Sequence, residues 1–227
     1  MMDKRKALLL VGSPRGAKST SNALGSYLLD RLLSGGMETE KIFILQTLQS
    51  GEAIERMLAA VEAADLVIFA FPLYVDHLPA PVIKTLELIA GNRRIKPARH
   101  PQTIASIVNC GFPESHQNRP AGEIMRHFAG KTGFTWAGSL VMGMGEAVAG
   151  RPLMQAGGLV RNVVKALDLA AEALCAGQQP PEEAFRLMGK QLIPRWLYVF
   201  MGNLGWKSRA GKSRVKINLY ARPYELS

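Results

Sequence analysis

The sequence predicts a doubly wound α/β fold, built on a five-stranded parallel sheet and followed by a basic C-terminal extension. Three observations lead there. Short apolar runs alternate with longer segments of helical periodicity, the order expected of a parallel sheet. The most prominent runs are apolar at nearly every residue, as strands covered on both faces are. The chain of 227 residues, 48% hydrophobic and 20% charged, is long enough to bury roughly 70% of its unfolded surface without disulfides or a structural metal.

The elements follow in order. Lys6 to Gly12 (KALLLVG) reads as a buried first strand ended by glycine. The loop formers SPRGAKSTS come next, and then Asn22 to Leu33. There Leu24, Leu28, Leu29, Leu32 and Leu33 share one helix face, and Gly35 and Gly36 stop the helix. Ile42 to Leu45 is a second, shorter apolar run, followed by a helical stretch near Ile54 to Ala63. Leu66 to Phe71 (LVIFAF) is a third strand closed by Pro72, and Pro81 suits the first turn of a helix reaching Ile89. Ile104 to Val108 makes a fourth strand, Glu123 to Phe128 a short helix and Phe134 to Met142 a fifth strand. Leu159 to Leu174 closes the domain with Val160, Val163, Val164, Leu167 and Ala171 on one helical stripe. Right-handed crossovers oblige the helices to cover both faces, and the most apolar strands, one, three and four, belong in central positions. The domain runs over residues 1–177. The extension, 178–227, opens with Gln178-Gln179-Pro180-Pro181 and carries a further helix over Glu182 to Leu192.

Composition narrows the function classes. Two cysteines, Cys110 and Cys175, exclude a disulfide framework and offer no CxxC pair. No run approaches about 18 apolar residues, and the apolar run behind the basic start, Ala7 to Val11, is too short for a signal peptide. A reduced, cytoplasmic protein is expected. The formal net charge is +10, and from Arg186 onward nine Lys and Arg stand against one acid, Glu225. Such a tail suits phosphates, nucleic acid or anionic headgroups, or is solvated and packs on its own domain.

In an open parallel sheet, ligands bind outside the carboxyl ends of the strands. The loop after the first strand, Gly12 to Asn22, matches neither GxGxxG nor GxxxxGK[ST]. It supplies hydroxyls, a guanidinium and the free N–H groups of a helix start, a set that suits a phosphate monoester. The alternative is an ordinary N-cap loop. The loop after the third strand, Phe71 to Pro81, places aromatic and apolar groups where a flat ring could lie, or is a proline-stiffened connection. The loop after the fourth, Asn109 to Glu114, offers a glycine, an amide and an aromatic, or is an ordinary turn.

The run GSPRGAKSTSNAL and the later FPLYVDHLPAPVIKTLE resemble the NADPH-dependent FMN reductase group of flavodoxin-like proteins. The resemblance covers about residues 6 to 176. It implies a flavodoxin-like fold, FMN as cofactor, and an enzyme that passes electrons from NAD(P)H to a quinone, a flavin or a similar acceptor. By position it implies that Ser13, Arg15, Ser19, Thr20 and Ser21 hold the phosphate. Pro72, Leu73, Tyr74 and Val75 would line one side of the ring, and Asn109, Cys110, Gly111 and Phe112 the other. A flavodoxin-like electron carrier or a non-catalytic flavin-binding module is the alternative, and a basic chain fits the carrier poorly.

The chemistry would belong to the flavin, so no residue is singled out as catalytic. His77 reads as a surface histidine, and Cys110, with no Lys or His beside it in sequence, as a small apolar side chain. His100, His116 and His127 show no metal-ligand spacing, and Met142 to Gly145 reads as close backbone packing or a loop over the ring edge. In the tail, Trp196 to Phe200 is an apolar cluster, and Trp206 precedes Lys207, Arg209, Lys212, Arg214 and Lys216. A homo-oligomer contact is the preferred reading, weak contact with a membrane surface the second, and nucleic acid is not expected.

Overall fold

The computed structural model describes residues 4–212, so the start of the chain and Arg214 and Lys216 of the basic tail lie outside the described residues. The structure divides into two units, Met1–Leu192 and Ile193–Ser227.

The first unit holds a sheet of five parallel strands in the order β2-β1-β3-β4-β5. Along the chain come β1 (Lys6–Val11), α1 (Thr20–Ser34), β2 (Glu38–Phe43), α2 (Ile44–Thr47), α3 (Gly51–Ala63), β3 (Leu66–Pro72) and α4 (Ala80–Ile95). After them follow β4 (Thr103–Asn109), α5 (Arg119–Thr132), β5 (Thr135–Met142), α6 (Gly145–Val148), α7 (Arg161–Cys175) and α8 (Glu182–Met188). The apolar runs divide between two cores by strand alternation. Ala7, Leu9 and Val11 face α1 and α7 together with Leu66, Ile68 and Ala70. Leu8, Leu10, Val67, Phe69 and Phe71 face the opposite core with Met57, Val82, Leu86 and Met125 from α3, α4 and α5. A strand buried on both faces cannot afford polar positions, and β1 and β3 have almost none.

Two sequence boundaries differ. The second strand begins at Glu38, and the apolar run at Ile42 straddles its end, because Ile44 and Leu45 already belong to α2. As an edge strand, half exposed along its length, β2 needs no apolar run. The first unit also extends past residue 177. Ala184, Leu187 and Met188 of α8 are buried in the α1–α7 core, and Phe185 packs where Gly138 of β5, at φ +108°, has no side chain.

The second unit contains α9 (Arg195–Lys212), an 18-residue helix with no acidic residue. Its Arg209 guanidinium lies 5.6 Å from the Trp206 ring centre. Among the described residues, no helix is long and apolar enough to cross a membrane.

Candidate functional site

Strand order reverses between β1 and β3, so the loops leaving their carboxyl ends diverge and open a crevice. A cavity of about 100 Å³ lies there. Ser13, Arg15, Ser19, Thr20 and Ser21 line it from the first loop, Pro72, Leu73 and Tyr74 from the loop after β3, and Asn109, Cys110 and Gly111 from the end of β4. Val75 and Phe112 do not line it and stand largely in solvent, 98% and 52% exposed.

The first loop is ordered by its own hydroxyls. Ser19 caps α1, accepting from the Asn22 N–H at 3.0 Å and donating to the Gly16 carbonyl at 2.7 Å. Thr20 Oγ1 donates to the Gly145 carbonyl at 2.9 Å, and Ser21 Oγ to Asn109 Oδ1 at 2.7 Å. Both bonds are buried and tie the start of α1 to segments more than eighty residues away. The protons of three of the four hydroxyls are therefore committed inside the protein. Ser13 Oγ instead accepts, from the Arg15 N–H at 3.4 Å.

The lining residues with donor capacity to spare are Ser13, through its hydroxyl, Thr20 and Ser21, through their first-turn N–H groups, and Arg15. First-turn N–H groups of a helix have no intrahelical acceptor, and the helix dipole adds positive potential there. This donor set fits a phosphate ester. The Arg15 guanidinium is 3.3 Å from Glu146, both side chains being more than half exposed.

Glu146 was not legible in the sequence; it lines the cavity with Gly145, from α6 in the connection that follows β5. That connection packs hard against its neighbours. A side chain on Gly143 would meet the Pro113 carbonyl oxygen at 2.6 Å, and one on Gly150 the Lys18 carbonyl oxygen at 2.2 Å. The MGMG run is therefore a site of close backbone approach, and it brings an acid to the rim.

The loop after β3 is a tight reversal. Tyr74 and His77 exchange two backbone hydrogen bonds at 3.0 Å, with Val75 at φ +49° and Asp76 at φ +57° between them. Such a turn needs two left-handed residues, for which valine is poorly suited. The loop is held to β4 by the Leu73 N–H, which donates to the Asn109 carbonyl at 2.8 Å. His77 is exposed.

Cys110 sits on the floor, 3% exposed. Burial pushes its thiol up, against the smaller opposite effects of the Phe112 backbone and the Asn118 amide. It is a neutral thiol and not an activated nucleophile. Behind it lies a second residue without a sequence signal, the fully buried Asn118. Its amide donates to the Ser115 and Met142 carbonyls at 2.9 and 3.2 Å and to Cys110 Sγ at 3.3 Å. Among the described residues, no group of three His, Cys, Asp or Glu is placed to hold a metal. A larger cavity, about 480 Å³, opens beside β5 between α5 and α8, and none of the thirteen sequence-predicted residues lines it.

Residues 5–148, well over half of the chain, match the family described as NADPH-dependent FMN reductase. The chain belongs to that family, and its fold is flavodoxin-like. An NADH:FMN oxidoreductase (EMOB, apo form) aligns with a TM-score of 0.58 at 16% identity, over 85% of this chain and 97% of that one. An FMN-dependent NADH-azoreductase from Bacillus anthracis, in complex with FMN, gives 0.52 at 12% identity, over 75% and 100%. A flavodoxin from Streptococcus pneumoniae gives 0.53 at 14% identity, over 76% and 99%. At such identities the likeness is one of fold. No curated protein matches the sequence.

Proposed function

We propose that the protein is an FMN-dependent oxidoreductase that passes electrons from NADH or NADPH to a small-molecule acceptor such as a quinone or a second flavin. One observation carries the reading: in a member of an FMN reductase family, the crevice at the strand-order reversal presents anion donors on the β1 side and an apolar, aromatic wall on the β3 side.

Arg15, the Ser13 hydroxyl and the Thr20 and Ser21 N–H groups would hold the phosphate. Ser19, Thr20 and Ser21 contribute by shape, since their side-chain hydrogen bonds fix the helix start on which those N–H groups sit. Pro72, Leu73 and Tyr74 would flank the ring on one side and Gly111 on the other, where a side chain built on that glycine meets nothing within 4 Å. FMN held there would supply the hydride-accepting and electron-donating chemistry between nicotinamide and acceptor. The protein's part is positioning, together with a neutral Cys110 that adds no competing charge to the floor.

The test is reconstitution of the purified chain with FMN. A perturbed flavin spectrum on mixing and acceptor-dependent oxidation of a nicotinamide, with menadione or excess FMN as acceptor, are expected. A chain that leaves the FMN spectrum unchanged, or binds FMN and oxidises neither NADH nor NADPH, overturns the reading.

A further inference from the structure

We infer that α9 is an interfacial helix that docks on an anionic lipid surface. The observations concern the second unit alone. Six large apolar side chains on this helix stand in solvent, among them Trp196 (71% exposed), Phe200 (57%) and Trp206 (70%). At 100° per residue, five of the six, Trp196, Val199, Phe200, Leu204 and Trp206, fall within an arc of about 160°, which Asn203 shares, while Met201 lies outside it. Gly202, Gly205, Ser208 and Arg209 take the opposite side. Lys207 lies inside the apolar arc, where a long aliphatic stem can follow the rings while its ammonium reaches headgroups. Arg209, stacked on Trp206, keeps a second cation beside an interfacial indole.

Charge selects the occupant. Residues 193–227 carry seven Lys and Arg and one Glu, a net +6, and the helix itself has no acid. A second copy of this segment seated on the apolar arc would bring a net +6 against another +6, with no carboxylate in either helix to pair. An anionic bilayer instead accepts the rings below the headgroups and the cations among them. Trp and Phe on one face with Lys and Arg nearby is the composition of helices that lie in that plane. The inference is independent of the flavin reading, since no residue of the crevice takes part.

The experiment is co-sedimentation of the full chain with phosphatidylcholine vesicles containing about one-third phosphatidylglycerol, or none. The chain should partition at least about tenfold more strongly onto the anionic vesicles, and lose most of that on going from about 0.1 M to about 1 M salt. In a Trp136→Phe background, the remaining tryptophans, Trp196 and Trp206, should shift their emission to the blue on binding. Each basic residue at an anionic surface strengthens binding about fivefold, so Lys207→Glu with Arg209→Glu should weaken it by about 25-fold or more. That pair leaves the apolar arc's rings in place, and the separate variant Trp196→Ala with Phe200→Ala should also release the chain.

Equal partition onto neutral and anionic vesicles, or none onto either, overturns the proposal. So does a dimer in sedimentation equilibrium that Trp196→Ala with Phe200→Ala dissolves while vesicle binding is unchanged; the face would then belong to a second copy. Charge-dependent binding to a DNA duplex without vesicle binding also overturns it.

Discussion

The two ends of the crevice are built by opposite means. At the anion end, Ser13, Ser19, Thr20 and Ser21 are all under 8% exposed, and buried side-chain hydrogen bonds lock the helix start to the end of β4 and the start of α6. At the ring end, Tyr74 is 44% exposed, and Val75 stands almost wholly in solvent on a turn that its residue type resists. The anion end is thus preorganised, so a phosphate entering it would lose little to ordering the protein. The ring end keeps its apolar surface open, which suits a site where successive partners must reach one face. The division of labour implies that affinity resides at the first loop and access at the second.

The largest effect should come from Arg15→Ala. A hydrogen bond to a charged group contributes about 1.5–3 kcal/mol, and Arg15 is half exposed, so the Kd for FMN should rise about 10- to 100-fold. Riboflavin, which lacks the phosphate, should bind the variant and the wild type alike. Titration of both flavins measures it. An equal loss for both would mean that the first loop does not discriminate the anion, and the contrast between the ends would fail.

Next is Ser21→Ala. The change strips the donor from a buried pair and leaves Asn109 Oδ1 without it, which costs about 1–3 kcal/mol. Melting of the flavin-free protein should therefore fall by about 5 °C, at roughly 2–4 °C per kcal/mol for a chain of this size. An unchanged midpoint would show that the anion end is not held by its hydroxyls.

Val75→Asn should act in the opposite direction. Asparagine tolerates the left-handed region far better than a β-branched residue does, and relief of the turn is worth about 1 kcal/mol. The midpoint should rise by about 2–4 °C. A fall would mean that Val75 is held by contacts that outweigh its backbone.

How far the sequence foretold this follows from where its signals are local. β1, β3 and β4 are legible because burial on both faces forbids polar residues, and the hydroxyl-rich run SPRGAKSTS is legible because capping is a short-range pattern. β2 is obscured because an edge strand has no such constraint, and α8 because its apolar contacts lie behind a proline break that reads as a boundary. Glu146 and Asn118 had no signal at all: one meets Arg15 from 131 positions away, and the other supports Cys110 from a short 3₁₀ turn. Nor did residue type disclose the turn at Val75 and Asp76, since left-handed backbone there runs against the preference of valine. The residues that close the crevice are therefore the ones for which only the folded chain supplies the neighbour.

The smallest effect tests the rim between the two ends. Glu146 reaches Arg15 from α6, and on the proposed reading an arriving phosphate would share that guanidinium with a carboxylate that also repels it. Exposed ion pairs of this kind contribute less than about 1 kcal/mol, so Glu146→Gln should tighten FMN by about two- to fivefold and leave riboflavin unchanged. The sign has a pH signature. A phosphate monoester passes from one to two negative charges near pH 6 or so, so the repulsion that Glu146 exerts grows across that range. The ratio of wild-type to variant Kd should rise between about pH 5 and about pH 7, measured by flavin titration at fixed ionic strength. If Glu146→Gln instead weakens both flavins equally at every pH, the carboxylate serves to hold the β5 loop against the first loop. The anion end would then extend one residue further than its hydroxyls do.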